Sequence, residues 1–334
     1  MGARASGNWR YYGPDVSRMP GGEAALFYVL PNNPASSYPG KNRKKLLAKR
    51  NNLLERLFQQ GDMTALGLKL AKLEPLPEAT KPLSNKASHL LATLKAKHPG
   101  QHQFNSNIDS KLQFQAYDIA SHHSERLSKT NINNLSLLVI DNFDKKVLAY
   151  VGNKTYQNKV LYSPAVDIIQ RPRSSGSLFK PFLFSMMLQQ GLLLPETLVM
   201  DVPTYYNGYS PENYDRAYRG VVTAKQALIE SLNVPSVRLL KEYGISMFKQ
   251  DLQSIGLTTL FRPADEYGLS LILGGAETSL WDMSNAYSGL SLAAYGLGDE
   301  FHQAMLLQEE LPVVTCFPVK QRAAWLTMEA LTQL

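Results

Sequence analysis

An α+β fold is what the sequence predicts, on three observations. Two β-rich apolar runs flank Asp141-Asn142-Phe143-Asp144, an apolar helical run opens beside Ser177, and helical periodicity dominates residues 223–294. At 334 residues the chain has room for one large or two ordinary domains with real cores. Its 44% hydrophobic and 19% charged content are values of a globular chain.

Taken in order, the chain starts with Trp9, Tyr11 and Tyr12 ahead of Gly13, followed by Glu23-Ala24-Ala25-Leu26 and the loop Pro31-Asn32-Asn33-Pro34. Residues 41–58 place Leu46, Leu47, Leu53, Leu54, Leu57 and Phe58 near a 3.6 period with Lys and Arg opposite, which predicts an amphipathic helix. Such a helix lies on anionic lipid or packs with a wet face, and packing is the reading adopted. Pro and Gly are dense over 74–107, which marks a linker with a short helical piece near Leu90. Asp109 reads as the N-cap of a helix over 110–127, with Leu112, Tyr117, Ile119 and Leu127 on its buried face. Residues 135–152 form a hairpin that needs sheet neighbours or helices to cover it. Residues 196–222 are rich in Pro, Tyr and Asn and predict a loop over a cleft, its tyrosines serving glycan or peptide contact, or packing.

The chemistry converges on Ser177 and Lys180. Gly176 frees the chain to turn, and the apolar run from Leu178 reaches the stop signals Gly191 and Pro195, so Ser177 sits at or near a helix N-terminus. Residues three apart on a helix share a face, which brings the Lys180 amine beside the Ser177 hydroxyl and aims free N–H groups at an anion formed there. A lysine at its reference pKa of about 10.4 is a cation at neutral pH and no base. Desolvation by the apolar neighbours has to lower it, and a shift of roughly three units corresponds to about 4 kcal/mol. A Ser-x-x-Lys pair arises about once by chance in such a chain, and Ser246-Met247-Phe248-Lys249 is a second, read as N-cap Ser246 and solvated Lys249. Alone, Ser177 and Lys180 have the same reading, a cap and a surface lysine. Ser231-Leu232-Asn233 adds weight: it puts a hydroxyl for proton relay and a carboxamide for substrate orientation into one cleft. Ser6-Gly7-Asn8 and Tyr156-Gln157-Asn158 fit related patterns, so order and spacing carry the argument.

Net charge is +7, which attracts nucleic acid, anionic lipid or an acidic polymer, or is merely a solvated basic surface; the last is adopted for most of the excess. The lone Cys316 excludes an intrachain disulfide and reads as a small buried residue. Six scattered histidines predict no metal, and nothing in the sequence implies a cofactor. No apolar run of about 18 residues predicts a membrane span, and no secretory signal core is visible.

Arg173-Ser174-Ser175-Gly176-Ser177-Leu178-Phe179-Lys180, then Ser231-Leu232-Asn233-Val234-Pro235, then Leu273-Gly274-Gly275-Ala276-Glu277-Thr278 resemble the transpeptidase domain of class A penicillin-binding proteins, most closely the 1C type. The resemblance runs, with gaps, over nearly the whole chain, and Ile108-Asp109 to Leu112-Gln113 matches its entry helix. It implies an incomplete penicillin-binding, serine β-lactamase-like domain over 107–334, with a helical subdomain and the first hairpin of a five-stranded sheet. Residues 1–65 would be a helical remnant of a glycosyltransferase domain without its catalytic glutamates, and 66–106 a linker. Ser177 would be the acylated nucleophile, Lys180 its base partner, and Ser231 and Asn233 the second motif. Stem peptides of peptidoglycan ending in D-Ala-D-Ala and β-lactams would be the partners, with other cell-wall proteins besides and no nucleic acid. The implied location is the periplasmic face of the inner membrane.

The family's third motif, Lys-Thr-Gly, has no counterpart here: Lys129-Thr130 precedes Asn131 and Lys154-Thr155 precedes Tyr156. This predicts a fragment with impaired activity, since losing one oxyanion donor costs on the order of 3 kcal/mol. A non-catalytic cell-wall interaction module is the alternative, with a basic nucleic-acid binder as a third.

Overall fold

Contacts divide the chain into two compact units, Met1–Asn85 and Lys86–Leu334. The computed structural model describes residues 21–30, 39, 41–78, 85–158, 160–206 and 208–334. The expectations for Ser6-Gly7-Asn8, Trp9, Tyr11 to Gly13 and Pro31 to Pro34 lie outside the described residues.

In the first unit, α1 (Gly21–Val29), α2 (Arg43–Gln59) and α3 (Ala65–Leu73) pack together. The Thr64 hydroxyl starts α3 by accepting from the Gly67 N–H at 3.1 Å. The buried stripe of α2 is narrower than its apolar periodicity suggests: Leu46, Arg50 and Leu54 are buried, whereas Leu47 and Phe58 are exposed. Arg50 earns its place chemically. Its guanidinium donates to the carbonyls of Lys72 (3.1 Å) and Glu74 (2.7 Å), groups that the end of α3 leaves without helical partners.

The second unit begins within the stretch read as a linker, where α4 (Ser88–Lys97) buries Leu90 and Leu94 beside Val147 and Tyr150. Asp109 caps α5 (Ser110–Ser128), accepting from the Leu112 N–H at 2.8 Å. The buried face of α5 corrects the expectation: it is Gln113, Ala116, Ala120 and Ser124, while Leu112 and Ile119 face outward. Small side chains let α5 lie close on the hairpin, and Gln113 replaces a ladder bond by accepting from the Tyr150 N–H (2.7 Å) and donating to its carbonyl (3.0 Å). The hairpin itself is β1 (Leu135–Ile140) antiparallel to β2 (Val147–Lys154). Asp141 holds its turn by accepting from the N–H groups of Phe143 and Asp144.

Beyond it lie β3 (Arg173–Ser174), α6 (Lys180–Gln189), β4 (Leu198–Asp201), β5 (Gly220–Thr223), α7 (Ala224–Ile229), α8 (Asn233–Tyr243), α9 (Ile245–Ser254), α10 (Ala264–Tyr267), β6 (Glu277–Thr278), α11 (Leu280–Ala294) and α12 (Gln321–Leu331). The 196–222 stretch is thus not all loop: β4 and β5 pair antiparallel at its two ends. The main core gathers Phe182, Leu183 and Met187 of α6 with Val237, Phe248, Ala286, Leu290 and Ala324 from the surrounding helices. Two small corrections come from register. Ser246 is inside the first turn of α9, with Gly244 at the cap position, and Cys316 is exposed because the neighbouring Phe317 occupies the core. The Cys316 thiol donates to Asp299 at 2.9 Å, which pushes its pKa up. No helix among the described residues is long and apolar enough to cross a membrane.

Candidate functional site

Ser177 stands in a turn, and α6 starts at Lys180 rather than at Ser177. Pro181 explains the offset. An α-helical ladder reaching back to Ser177 would need the N–H of residue 181, which proline lacks. The Ser177 carbonyl instead accepts from the Lys180 N–H at 3.1 Å, a tighter i→i+3 bond. Gly176 turns the chain ahead of it with φ +54°.

Two distant elements hold this turn. Tyr287 of α11 donates its hydroxyl to the Leu178 carbonyl at 3.0 Å and packs edge-on against Phe182, ring centroids 5.0 Å apart. Burial raises its pKa to about 12, which keeps it a donor. From the other side β3 pairs with β6, and Ser174 donates to the Gly274 carbonyl at 2.9 Å. Gly274 is there because nothing larger fits: a Cβ would stand 2.6 Å from the Ser174 hydroxyl and 2.9 Å from the Gly176 nitrogen. The Ser177 hydroxyl, half-buried, makes no hydrogen bond among the described residues, and neither does its N–H.

Lys180 lies inward, 3% exposed, and burial draws its pKa down to about 8. Its ammonium donates to three oxygens of the second motif: the Ser231 carbonyl (2.6 Å), the Ser231 hydroxyl (3.2 Å) and the Asn233 carboxamide oxygen (2.8 Å). The structure therefore joins Lys180, Ser231 and Asn233 directly, and Ser177 adjoins Lys180 through the backbone of one turn. Ser231 presents its groups from a left-handed backbone, φ +51°, at the end of α7. The N–H of Ser231 donates to the Leu228 carbonyl and that of Leu232 to the Ala227 carbonyl, the paired bonds of a Schellman ending.

The sequence reading missed a further layer. Asn213, 3% exposed, accepts with its carboxamide oxygen from the N–H groups of Asn233 (2.9 Å) and Val234 (3.2 Å), and donates to buried Asp201 (2.8 Å). One signal pointed to it: α8 starts after Leu232, whose side chain cannot cap, so the acceptor had to come from elsewhere. Tyr287 and Gly274 left no comparable trace, because their partners are about a hundred residues away.

A hydroxyl with free lone pairs, a buried amine with a lowered pKa, a second hydroxyl bonded to that amine and an oriented carboxamide form a set suited to acyl transfer through serine. Residues 135–307 match the family described as penicillin binding protein transpeptidase domain. Penicillin-binding protein 1C of Escherichia coli (strain K12) is 30% identical over 319 residues, 96% of this chain and 40% of that protein. Penicillin-binding protein 1F of Bacillus subtilis (strain 168) is 27% identical, over 90% of this chain and 43% of that one. In fold, the chain resembles the crystal structure of penicillin-binding protein 1A from Haemophilus influenzae, with a TM-score of 0.59 at 15% identity over 93% of this chain and 63% of that one. It spans roughly two fifths of the length of the two curated relatives.

Proposed function

Because the chain belongs to the penicillin-binding protein transpeptidase family, we propose that it is a serine D,D-transpeptidase module of peptidoglycan synthesis, acylated on Ser177. Its donor is a stem peptide ending in D-Ala-D-Ala, and penicillins take the donor's place. By the same reading it works on the periplasmic face of the inner membrane, with other cell-wall synthesis proteins as partners. On the same reading, residues 1–65 belong to a glycosyltransferase domain.

The supporting observation is Lys180: buried, free of any carboxylate among the described residues, poised near pH 8 and bonded to both residues of the second motif. Neutral Lys180 takes the Ser177 proton, directly or through the Ser231 hydroxyl, as Ser177 Oγ bonds to the penultimate D-Ala carbonyl carbon. The peptide C–N bond then breaks, and the proton passes to the departing D-Ala amine. An acceptor amine later releases the acyl group and restores the hydroxyl. The Ser177 N–H faces the oxyanion in this scheme, and Asn233 orients the donor's amide with its second N–H.

Incubation of purified protein with a fluorescent penicillin tests the reading. Covalent label on the Ser177 peptide, absent in Ser177→Ala, is expected; folded protein without label rejects it. The labelling rate should climb with pH and level off above about pH 8, since at pH 7 roughly a tenth of Lys180 is neutral. A flat profile between pH 6 and 9 rejects Lys180 as the base.

A binding role without catalysis has one observation in its favour: all three Lys180 side-chain bonds go to Ser231 and Asn233 and none to Ser177. Sedimentation with purified sacculi tests it, and binding that disappears in Ser177→Ala counts against it.

A further inference from the structure

We propose that Asn213, oriented by Asp201, is a positioning residue for the acylation: it fixes Asn233, and through Asn233 the resting place of the Lys180 amine. The inference builds on the proposed roles of Ser177 and Lys180. Its own evidence is the hydrogen-bond pattern around the start of α8. Asn213 fills all four of its carboxamide positions: the oxygen accepts from the Asn233 and Val234 N–H groups, and the nitrogen donates to Asp201 (2.8 Å) and to the Ala217 carbonyl (2.8 Å).

Asp201 decides which way that amide points. A carboxylate only accepts, so it demands the NH2 side and turns the carbonyl oxygen towards α8. Asp201 is wholly buried, with its second oxygen accepting from the Arg219 N–H at 2.9 Å and no ion pair among the described residues. A buried carboxylate without a cation is an expensive way to stabilise a loop, and it is explained by what it orients.

The same loop also holds the Asn233 side chain. The Glu212 carbonyl accepts from the Asn233 carboxamide nitrogen at 2.9 Å, which leaves its oxygen facing Lys180 at 2.8 Å. On the other flank of Ser231, Arg219 donates from Nε to Glu230 at 2.9 Å. The loop from Glu212 to Arg219 therefore straps the second motif at both ends, and Asn213 is its buried fastening.

The test uses the whole chain in three forms: wild type, Asn213→Ala, and the exchange Asp201→Asn with Asn213→Asp. In the exchange, the amide placed at 201 donates to the carboxylate placed at 213, which still accepts from α8; only the bond to the Ala217 carbonyl is lost, which is why the recovery expected is incomplete. Circular dichroism identifies a temperature at which all are folded. There the fluorescent penicillin should acylate Asn213→Ala about 100-fold more slowly than wild type, the usual cost of an ångström of misplacement, and the exchange should recover to within about tenfold. In parallel, 13C-lysine NMR follows Lys180, its resonance assigned with Lys180→Arg. As water enters the loosened pocket, its midpoint should rise by about half a unit or more in Asn213→Ala and return in the exchange. A cap that only stabilises would lower the melting temperature and leave both readouts alone. Folded Asn213→Ala with the wild-type rate and midpoint overturns the inference. Wild type that takes no label overturns the acyl-transfer reading instead, and the Lys180 midpoint then decides the role of Asn213 by itself.

Discussion

Ser231 and Gly191 occupy the same position in the same motif. Each is the left-handed residue closing a Schellman ending, at φ +51° after α7 and φ +71° after α6. Gly191 fits without strain; a side chain there costs roughly 1–2 kcal/mol. That α7 carries serine where glycine is favoured points to a use for the hydroxyl, and its 3.2 Å bond from Lys180 supplies one. Ser231→Gly relieves roughly 1–2 kcal/mol of backbone strain, but the larger unfolded-state entropy of glycine and the lost bond from buried Lys180 offset it, so net stability should change by less than about 1 kcal/mol. Penicillin acylation should meanwhile drop about 100-fold through loss of the relay. Urea unfolding and labelling kinetics on one preparation read both, and an undiminished rate removes Ser231 from the chemistry. At this scale the sequence was informative: Ser177, Lys180, Ser231 and Asn233 were visible because their spacing is local. Asn213 was not, since a cap lent across twenty residues leaves only a helix start without its own capping side chain.

Among the elements, the turn that carries Ser177 owes its shape to neighbours rather than to its own residues. Pro181 prevents α6 from extending to Ser177, and Gly274 lets the β6 side approach within contact of Ser174 and Gly176. Gly274→Ala adds a methyl against backbone at φ +99°, so a loss of about 3 kcal/mol is expected from overpacking and strain together. Because the displaced atoms belong to Gly176, labelling of Ser177 should fall in the folded fraction as well. Gly191→Ala is the control: at φ +71° with open space around it, it should cost only the strain, about 1 kcal/mol, and leave the labelling rate unchanged. Equal rates in the two variants would free Gly274 from any role in shaping the site. The same contrast explains what was readable among elements. The hairpin over 135–152 and the Asp109 cap are set by residues within a few positions. The buried face of α5, made of Gln, Ala and Ser, looks polar until the hairpin it covers is in place.

For the whole molecule, Lys180 has a counterpart. Lys145, at the hairpin turn, has no exposed surface, donates to Ser288 of α11 at 2.6 Å, stands 4.6 Å from the Phe301 ring centroid, and is drawn by burial to a pKa of about 8. Neither lysine has a carboxylate partner among the described residues, so each is carried as a costly buried cation at neutral pH. Below about pH 8 both lysines are protonated folded and unfolded, and stability does not vary on their account. Between about 8 and 10.5 the folded chain gives up these protons while the unfolded chain keeps them, so stability rises with pH. The phenols act in the opposite sense: Tyr150, Tyr243 and Tyr287 are all raised, chiefly by burial, so above about pH 10 the unfolded chain ionises first and stability falls. Maximum stability should accordingly lie near pH 9 to 10, above the usual range of about 5 to 8. Lys145→Met isolates one contribution, because it removes the buried charge while Ser288 keeps its bond to the Asn142 carboxamide at 2.8 Å. It should raise stability at pH 7 by up to about 3 kcal/mol and flatten the climb between pH 8 and 10 without touching penicillin labelling. Urea unfolding of both proteins at unit pH steps is the measurement; parallel curves would mean that Lys145 titrates alike in the folded and unfolded chain, and that the hairpin turn carries no buried charge.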